Sequence, residues 1–223
     1  MRIFAKRYHV AVVTMMMGMA CMTSWAQTPN TSEAPSGVRI KKIPQVSTSS
    51  WRQKTPVFPV AVAGSGQSSN QPRDWGVFEV EFDVLTPVTA PWIDNLTVNY
   101  YVMLKNPKDI QKTYSFLKLT CQYSDIERGG SRYVCAVLPP VVMMRHGTVI
   151  GFAVDFLVGG KIVDSKSSEA SAPNDDLKKA QARWWEDPNV IDNALTVKRE
   201  GVLLERSKTP FGLIRIDDFE VGK

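Results

Sequence analysis

Two stretches of this chain alternate apolar and polar residues with a period of two. In the first, Phe78, Val80, Phe82 and Val84 interleave with Glu79, Glu81 and Asp83. In the second, Leu96, Val98, Tyr100, Val102 and Leu104 interleave with Thr97, Asn99, Tyr101, Met103 and Lys105. Successive side chains of a strand point to opposite faces, so each stretch describes a strand with one face buried and one in water. Leu117, Leu119, Cys121 and Tyr123 share a third such face, and Tyr133 to Leu138 runs up to a Pro139-Pro140 stop. Ile150, Phe152, Val154, Phe156 and Val158 make a fifth strand, and Gly159-Gly160 is a hairpin signal returning the chain through Lys161 to Lys166. Val202 to Arg206 and Phe211 to Ile216 read as two short final strands.

One short helix is expected near residues 175–187. Asn174 or Asp175 can accept its first free amides, Leu177, Ala180 and Trp184 share a face, and Pro188 ends it. Roughly six to eight short strands with turn signals between them predict a mainly β domain, an antiparallel sandwich over residues 75–223. A small β-barrel is the alternative.

The first 26 residues have a different grammar. Arg2, Lys6 and Arg7 charge the start, an apolar run follows from Val10 to Met22, and Ser24-Trp25-Ala26 offers small residues before a cut at Gln27. This is the layout of a secretory signal peptide. The run is too short to span about 30 Å of hydrocarbon as a helix, so no transmembrane segment is expected in the mature chain. A lipoprotein signal wants a Leu-like residue where Gly18 precedes Cys21, and a prepilin would carry Glu where Thr23 stands. The mature protein is therefore expected in the periplasm, at the cell surface or in the medium.

Cleavage removes three basic residues and no acidic ones, taking the formal charge of +5 down to +2. That balance gives no electrostatic case for nucleic-acid binding. Residues 27–74, rich in Ser, Thr, Pro, Gly, Gln and Asn, read as a disordered tether whose removal leaves the sandwich intact. Within it, Val38 to Val46 and Val57 to Val62 are short apolar islands fit only for an edge strand.

Cys121 and Cys135 remain after cleavage. A turn at Glu127-Arg128-Gly129-Gly130 would set Cys121 opposite Cys135 and Tyr123 opposite Tyr133, and an oxidising compartment then predicts a disulfide. The spacing is far too short for the inter-sheet bridge of antibody domains.

No catalytic or metal-binding residues and no cofactor are assigned. His146 lacks a Gly-x-Ser-x-Gly elbow, and after cleavage the one remaining histidine beside two bonded cysteines leaves little for zinc. Glu79, Glu81, Asp83 and Asp155 reach the spacing that two-carboxylate sugar hydrolysis needs, but so does almost any solvated strand. Trp185 is the odder residue. Neighbours on a helix point about 100° apart, so if Trp184 takes the apolar face, Trp185 lies at the helix edge beside Glu186 and Asp187. There it can stack on a sugar ring or a partner protein. Tyr101, on the polar face of its strand, is the second candidate.

Trp75-Gly76-Val77-Phe78-Glu79-Val80 and Asn95-Leu96-Thr97-Val98-Asn99-Tyr100-Tyr101, with the leader and tether before them, resemble small envelope proteins encoded beside type IV pilus machinery in mucin-dwelling Verrucomicrobia. The resemblance covers roughly Trp75 to Gly222. It implies an immunoglobulin-like sandwich with a non-catalytic envelope role, and it supplies no functional residues. The sequence thus reads as a non-enzymatic binding or assembly module for an envelope or surface protein. A carbohydrate-binding or glycan-hydrolysing protein, resting on Trp185, Tyr101 and the scattered carboxylates, is the alternative. Secreted material should begin at Gln27, and intact-mass measurement checks this: a mass that keeps residues 1–26, or a lipidated Cys21, refutes it.

Overall fold

The strands follow the alternation. In the computed structural model, which describes residues 37–56, 72–107, 112–168 and 183–213, strand β3 (Asp74–Val84) turns Phe78, Val80, Phe82 and Val84 into the core. Strand β5 (Leu96–Lys105) does the same with Leu96, Val98, Tyr100, Val102 and Leu104. Before β3 come β1 (Val38–Lys42) and β2 (Arg52–Lys54), and β4 (Trp92–Ile93) precedes β5. After it come β6 (Tyr114–Tyr123), β7 (Ile126–Glu127), β8 (Gly129–Leu138), β9 (Thr148–Val158), β10 (Lys161–Ser167), β11 (Thr196–Arg199) and β12 (Leu204–Glu205).

These strands build two five-stranded sheets with one shared core. The first runs β1–β3–β8–β12, with β2 also paired to β3, and the second runs β10–β9–β5–β6–β11. Strands β4 and β7 form a separate two-stranded ribbon. Pairing is antiparallel except between β11 and β6, which run parallel. The architecture is a β-sandwich and not a closed barrel. Its β9–β10 hairpin turns on Gly159 (φ 58°) and Gly160 (φ 78°), a left-handed pair that only glycine adopts without strain.

Several expectations need correction. The turn after Tyr123 does not fold β8 back onto β6. Residues 126–127 pair instead with β4, and the chain crosses to the other sheet, where β8 pairs with β3. Cys121 thus lies opposite Val98 and faces the inter-sheet core, whereas Cys135 lies opposite Glu79 and faces outward with Val77, Val137 and Phe211. Tyr123 pairs with Leu96 and Tyr133 with Glu81. Both cysteines are buried, in different sheets, and they are not joined to each other.

Second, residues 37–56 of the stretch expected to be a tether contribute to the core, while 27–36 and 57–71, with the Val57 to Val62 island, lie outside the described residues. Strand β1 is an edge strand on β3, as its proline-flanked island allowed, and Val38, Ile40, Ile43 and Trp51 are all buried. Asp164 on the edge of the other sheet accepts the Ile40 N–H at 2.7 Å, so β1 and β10 meet where the two sheet edges converge.

Third, a helix appears where none was expected. Helix α1 (Pro140–His146) starts directly after β8, with Pro140 at its first turn, where a missing N–H costs nothing. Gly147 (φ 88°) ends it, and a Cβ there would collide with the Lys105 carbonyl oxygen. Fourth, the helix expected near 175–187 falls mostly outside the described residues. Its described end, 184–186, is a turn, and a short helix α2 (Pro188–Ile191) begins at the proline expected to end one. The described start of the strand expected over Phe211 to Ile216 is a 3-10 turn (Pro210–Leu213), and 214–216 lie outside the described residues. The leader, 1–26, lies outside the described residues, among which no helix is long and apolar enough to cross a membrane.

Removing residues 27–70 therefore has a large expected cost. It strips Val38, Ile40, Ile43 and Trp51 from the core, at about 1.5–3 kcal/mol for each buried side chain. That loss is comparable to the whole stability of a typical domain, about 5–15 kcal/mol. Urea denaturation should find the truncated chain unfolded or nearly so, and a midpoint equal to that of the full chain would contradict the assignment.

Candidate functional site

Odd-numbered residues of β5 face away from the core. Tyr101 and Met103 therefore lie on the outer face of the second sheet, beside Phe116 of β6 and Ala153 of β9. The chain from 183 to 191 lies across them and brings Trp184, Trp185 and Val190 into the same cluster. Trp185 lies 6.2 Å from Tyr101 and Trp184 lies 6.4 Å from Phe116, centroid to centroid. The two tryptophans meet edge to face at 5.8 Å and 85°.

Both sequence candidates are thus brought together, and both are buried. Trp185 is 3% exposed and Tyr101 5%. The helix geometry that placed Trp185 at an edge does not apply, because residues 184–186 form a turn that lets adjacent rings enter one cluster.

Asp155 ties the cluster together. The residue is 1% exposed, in an otherwise apolar strand. Its carboxylate accepts from Trp185 Nε1 at 3.1 and 3.2 Å, from Ser165 Oγ at 2.8 Å and from Arg183 Nη2 at 3.1 Å. Arg183 also donates to both Glu186 oxygens at 2.7 Å and lies 5.1 Å from the centroid of the Trp185 ring. A buried carboxylate persists only when paired and hydrogen-bonded in this way. The hydrogen bond from Arg183 holds the Glu186 carboxyl below its ordinary value. Burial, followed by the Asp155 charge and hydrogen bond, pushes the Tyr101 hydroxyl far above the usual tyrosine range. These contacts clamp the 183–186 segment to the sheet.

The opposite situation holds at the end of the sandwich where β8 runs into α1. Trp51 stacks on Phe78 at 5.6 Å, and Phe78 stacks on Phe152 of the other sheet at 5.1 Å. Gly76 leaves room for this stack, since a Cβ there would sit 3.4 Å from the Trp51 ring and 3.1 Å from Leu138 Cβ. The Arg52 guanidinium lies 5.0 Å from the centroid of the Trp51 ring. Opposite them, α1 buries Val142 in the core. Its Pro140, Met143 and Met144, followed by Gly147, recur at helical spacing on another face. Between the two lies an open cleft of about 650 Å³, lined among others by Trp51, Arg52, Arg73, Asp74, Met143 and Met144. Met144 is 79% exposed and Val141, on the same helix, 45%.

The remaining polar candidates are otherwise engaged. Glu79, Glu81 and Asp83 line the outer face of β3 as the alternation predicts, and Lys41 Nζ sits 3.5 Å from Glu81 and 3.5 Å from Asp83. His146 ends α1 half-buried, and its buried Nδ1 has no hydrogen-bond partner. Burial, then Arg199 and Arg145, push its pKa down, so its charged neighbours are cations and not the carboxylate that a triad needs. No group of three or more His, Cys, Asp or Glu side chains suited to a metal ion occurs among the described residues.

Trp185→Ala should cost about 3–5 kcal/mol of stability, as for other buried aromatics. Thermal melts check this, and an unchanged melting temperature would return the ring to the surface. Tyr101 adds a pH dependence. With its folded pKa raised, its contribution is complete below the ordinary value of 10.0 and declines as pH climbs past it, because only the unfolded chain then loses the proton. Tyr101→Phe should flatten the stability decline above about pH 10 by roughly 1.4 kcal/mol per pH unit.

A protein-family model matches residues 40–223, which include every strand from β2 to β12. Among curated proteins, none matches the sequence. A crystal structure of a protein from Akkermansia muciniphila is similar in fold and sequence: TM-score 0.62 and 25% identity, covering 82% of this chain and 91% of that one. Its source is one of the Verrucomicrobia. A match over residues 40–223 takes in most of the chain, and the protein accordingly belongs to the family which that model describes.

Proposed function

We propose that the protein is a non-enzymatic binding or assembly module of the cell envelope, which engages a partner protein through the cleft between α1 and β2. The observation that carries this reading is the cleft itself. Its apolar wall includes a methionine left 79% exposed on a short helix, beside a buried aromatic stack. Methionine is unbranched and polarisable, and it is over-used at adaptable protein-binding surfaces. Family membership and the similarity to the Akkermansia muciniphila protein support an envelope setting of the kind the leader implies. A role at the surface, beside pilus machinery, is the finer form of this reading.

The glycan alternative rested on Trp185 and Tyr101. Both rings are buried, and the Trp185 N–H is held by Asp155, so neither presents a stacking platform. The cleft reading is the better supported.

Met144→Lys tests it. The full-length chain carrying this change should be exported and should melt like the parent, because the residue is exposed. Its co-fractionation with the envelope should fall about tenfold, the equivalent of about 1.4 kcal/mol. Retention equal to the parent would remove the cleft from the function.

A further inference from the structure

From the chemistry around the cleft we infer the class of its occupant: an acidic peptide segment of a partner protein, anchored by an apolar side chain. This rests on the cleft being the docking site.

Three charged side chains line the cleft, Arg52, Arg73 and Asp74. Asp74 is already matched by Lys54, whose Nζ lies 2.7 Å from its Oδ1. Among the described residues, Arg52 and Arg73 have no carboxylate within salt-bridge distance, so the rim presents two guanidinium groups without a counter-charge. The contrast within the same molecule is direct, since Arg183 holds Asp155 and Glu186 together. A guanidinium is planar, permanently charged and suited to bidentate carboxylate binding. Stacking over the Trp51 ring also restrains Arg52, which lowers the entropy cost of docking a carboxylate against it.

The apolar part sets the anchor. Met143 and Met144 line one wall, and a cleft of about 650 Å³ admits a few side chains. Two arginines beside an apolar wall do not make the extended basic stripe that tracks a nucleic-acid backbone. They fit one or two carboxylates flanking a Leu- or Met-like residue.

A pair of synthetic peptides tests the class. Acetyl-Ser-Asp-Leu-Met-Asp-Ser-amide carries the carboxylates, and acetyl-Ser-Asn-Leu-Met-Asn-Ser-amide is its neutral counterpart. Titrated into the isotope-labelled exported chain, the acidic peptide should shift the amide signals of Arg52, Arg73 and Met144. It should bind about tenfold tighter than the neutral one, the scale of one charge-assisted hydrogen bond. The Arg52→Gln/Arg73→Gln double variant should bring the two affinities within about twofold of each other. Met144→Ser should weaken both peptides.

Equal affinities in the parent would overturn the acidic class while leaving the cleft as a docking site. Shifts confined to other residues, or no effect of Met144→Ser, would overturn the assignment of the peptide to the cleft. Concentration-dependent self-association that Met144→Lys abolishes would give the cleft to a second copy of this chain and overturn the partner peptide. So would a gain of about fivefold or more in peptide affinity when residues 57–71 are replaced by a Gly-Ser linker, since the chain would then compete for its own cleft.

Discussion

The stack of Trp51 on Phe78 on Phe152 joins three parts of the chain that are remote in sequence. Phe78 belongs to the first sheet, Phe152 to the second, and Trp51 to the segment that leads into β2. Rings held near 5–6 Å and almost parallel bury large apolar faces from water on both sides of the middle ring. A side chain at Gly76 would press on Leu138 and on both rings, and the Trp51 N–H is satisfied by the Val46 carbonyl at 3.1 Å. With the stack in place, α1 closes the core with Val142 and the cleft takes its position outside. Residues 38–54 are therefore part of the sandwich and not an accessory to it.

At the other extreme lies a buried charge. Asp155 occupies an outward position of β9, which would be solvated were it not covered by residues 183–191. Burying that carboxylate is unfavourable alone, and hydrogen bonds from three donors, the Trp185 N–H shared between both oxygens, Ser165 and Arg183, offset the cost. The consequence is specificity of placement. Only one position of the 183–186 segment presents both the indole N–H and the guanidinium to the same carboxylate. Removing Arg183 would leave that carboxylate without its counter-charge, the costly case at about 3–5 kcal/mol.

The two arginine–tryptophan pairs make the functional contrast. Arg183 lies over Trp185 with its donors bound to Asp155 and Glu186, so that pair is closed to other ligands. Arg52 lies over Trp51 at a similar distance but faces a cleft, with Arg73 beside it and Met144 opposite. In the first pair both members are committed to the fold, whereas in the second Trp51 is buried in the core and the guanidinium is left at the cleft. Family membership over residues 40–223 includes both pairs, so the family model spans the clamp and the cleft alike.

The sequence by itself determined which residues of the strands turn inward, though not that the other face of β5, expected in water, is covered: Tyr101 and Met103 are buried there by residues 183–191. Period two is a local property of the backbone, so Phe78, Val80, Phe82 and Val84, or Leu96 to Leu104, could be assigned inward without knowing any partner. Gly159-Gly160 was legible for the same reason, since positive φ belongs to the residue itself. Which sheet a strand joins was decided only in three dimensions. Nothing local says that residues 126–127 pair with β4 and send β8 across the core, and that crossing separates Cys121 from Cys135. The same limit hid the value of Val38, Ile40 and Trp51: their composition looked like a linker because burial depends on β3 being there to receive them. It also hid Trp185, whose position follows from Asp155 thirty residues earlier. The candidate cleft was the least legible of all, because Arg52, Arg73 and Met144 meet only through the tertiary fold.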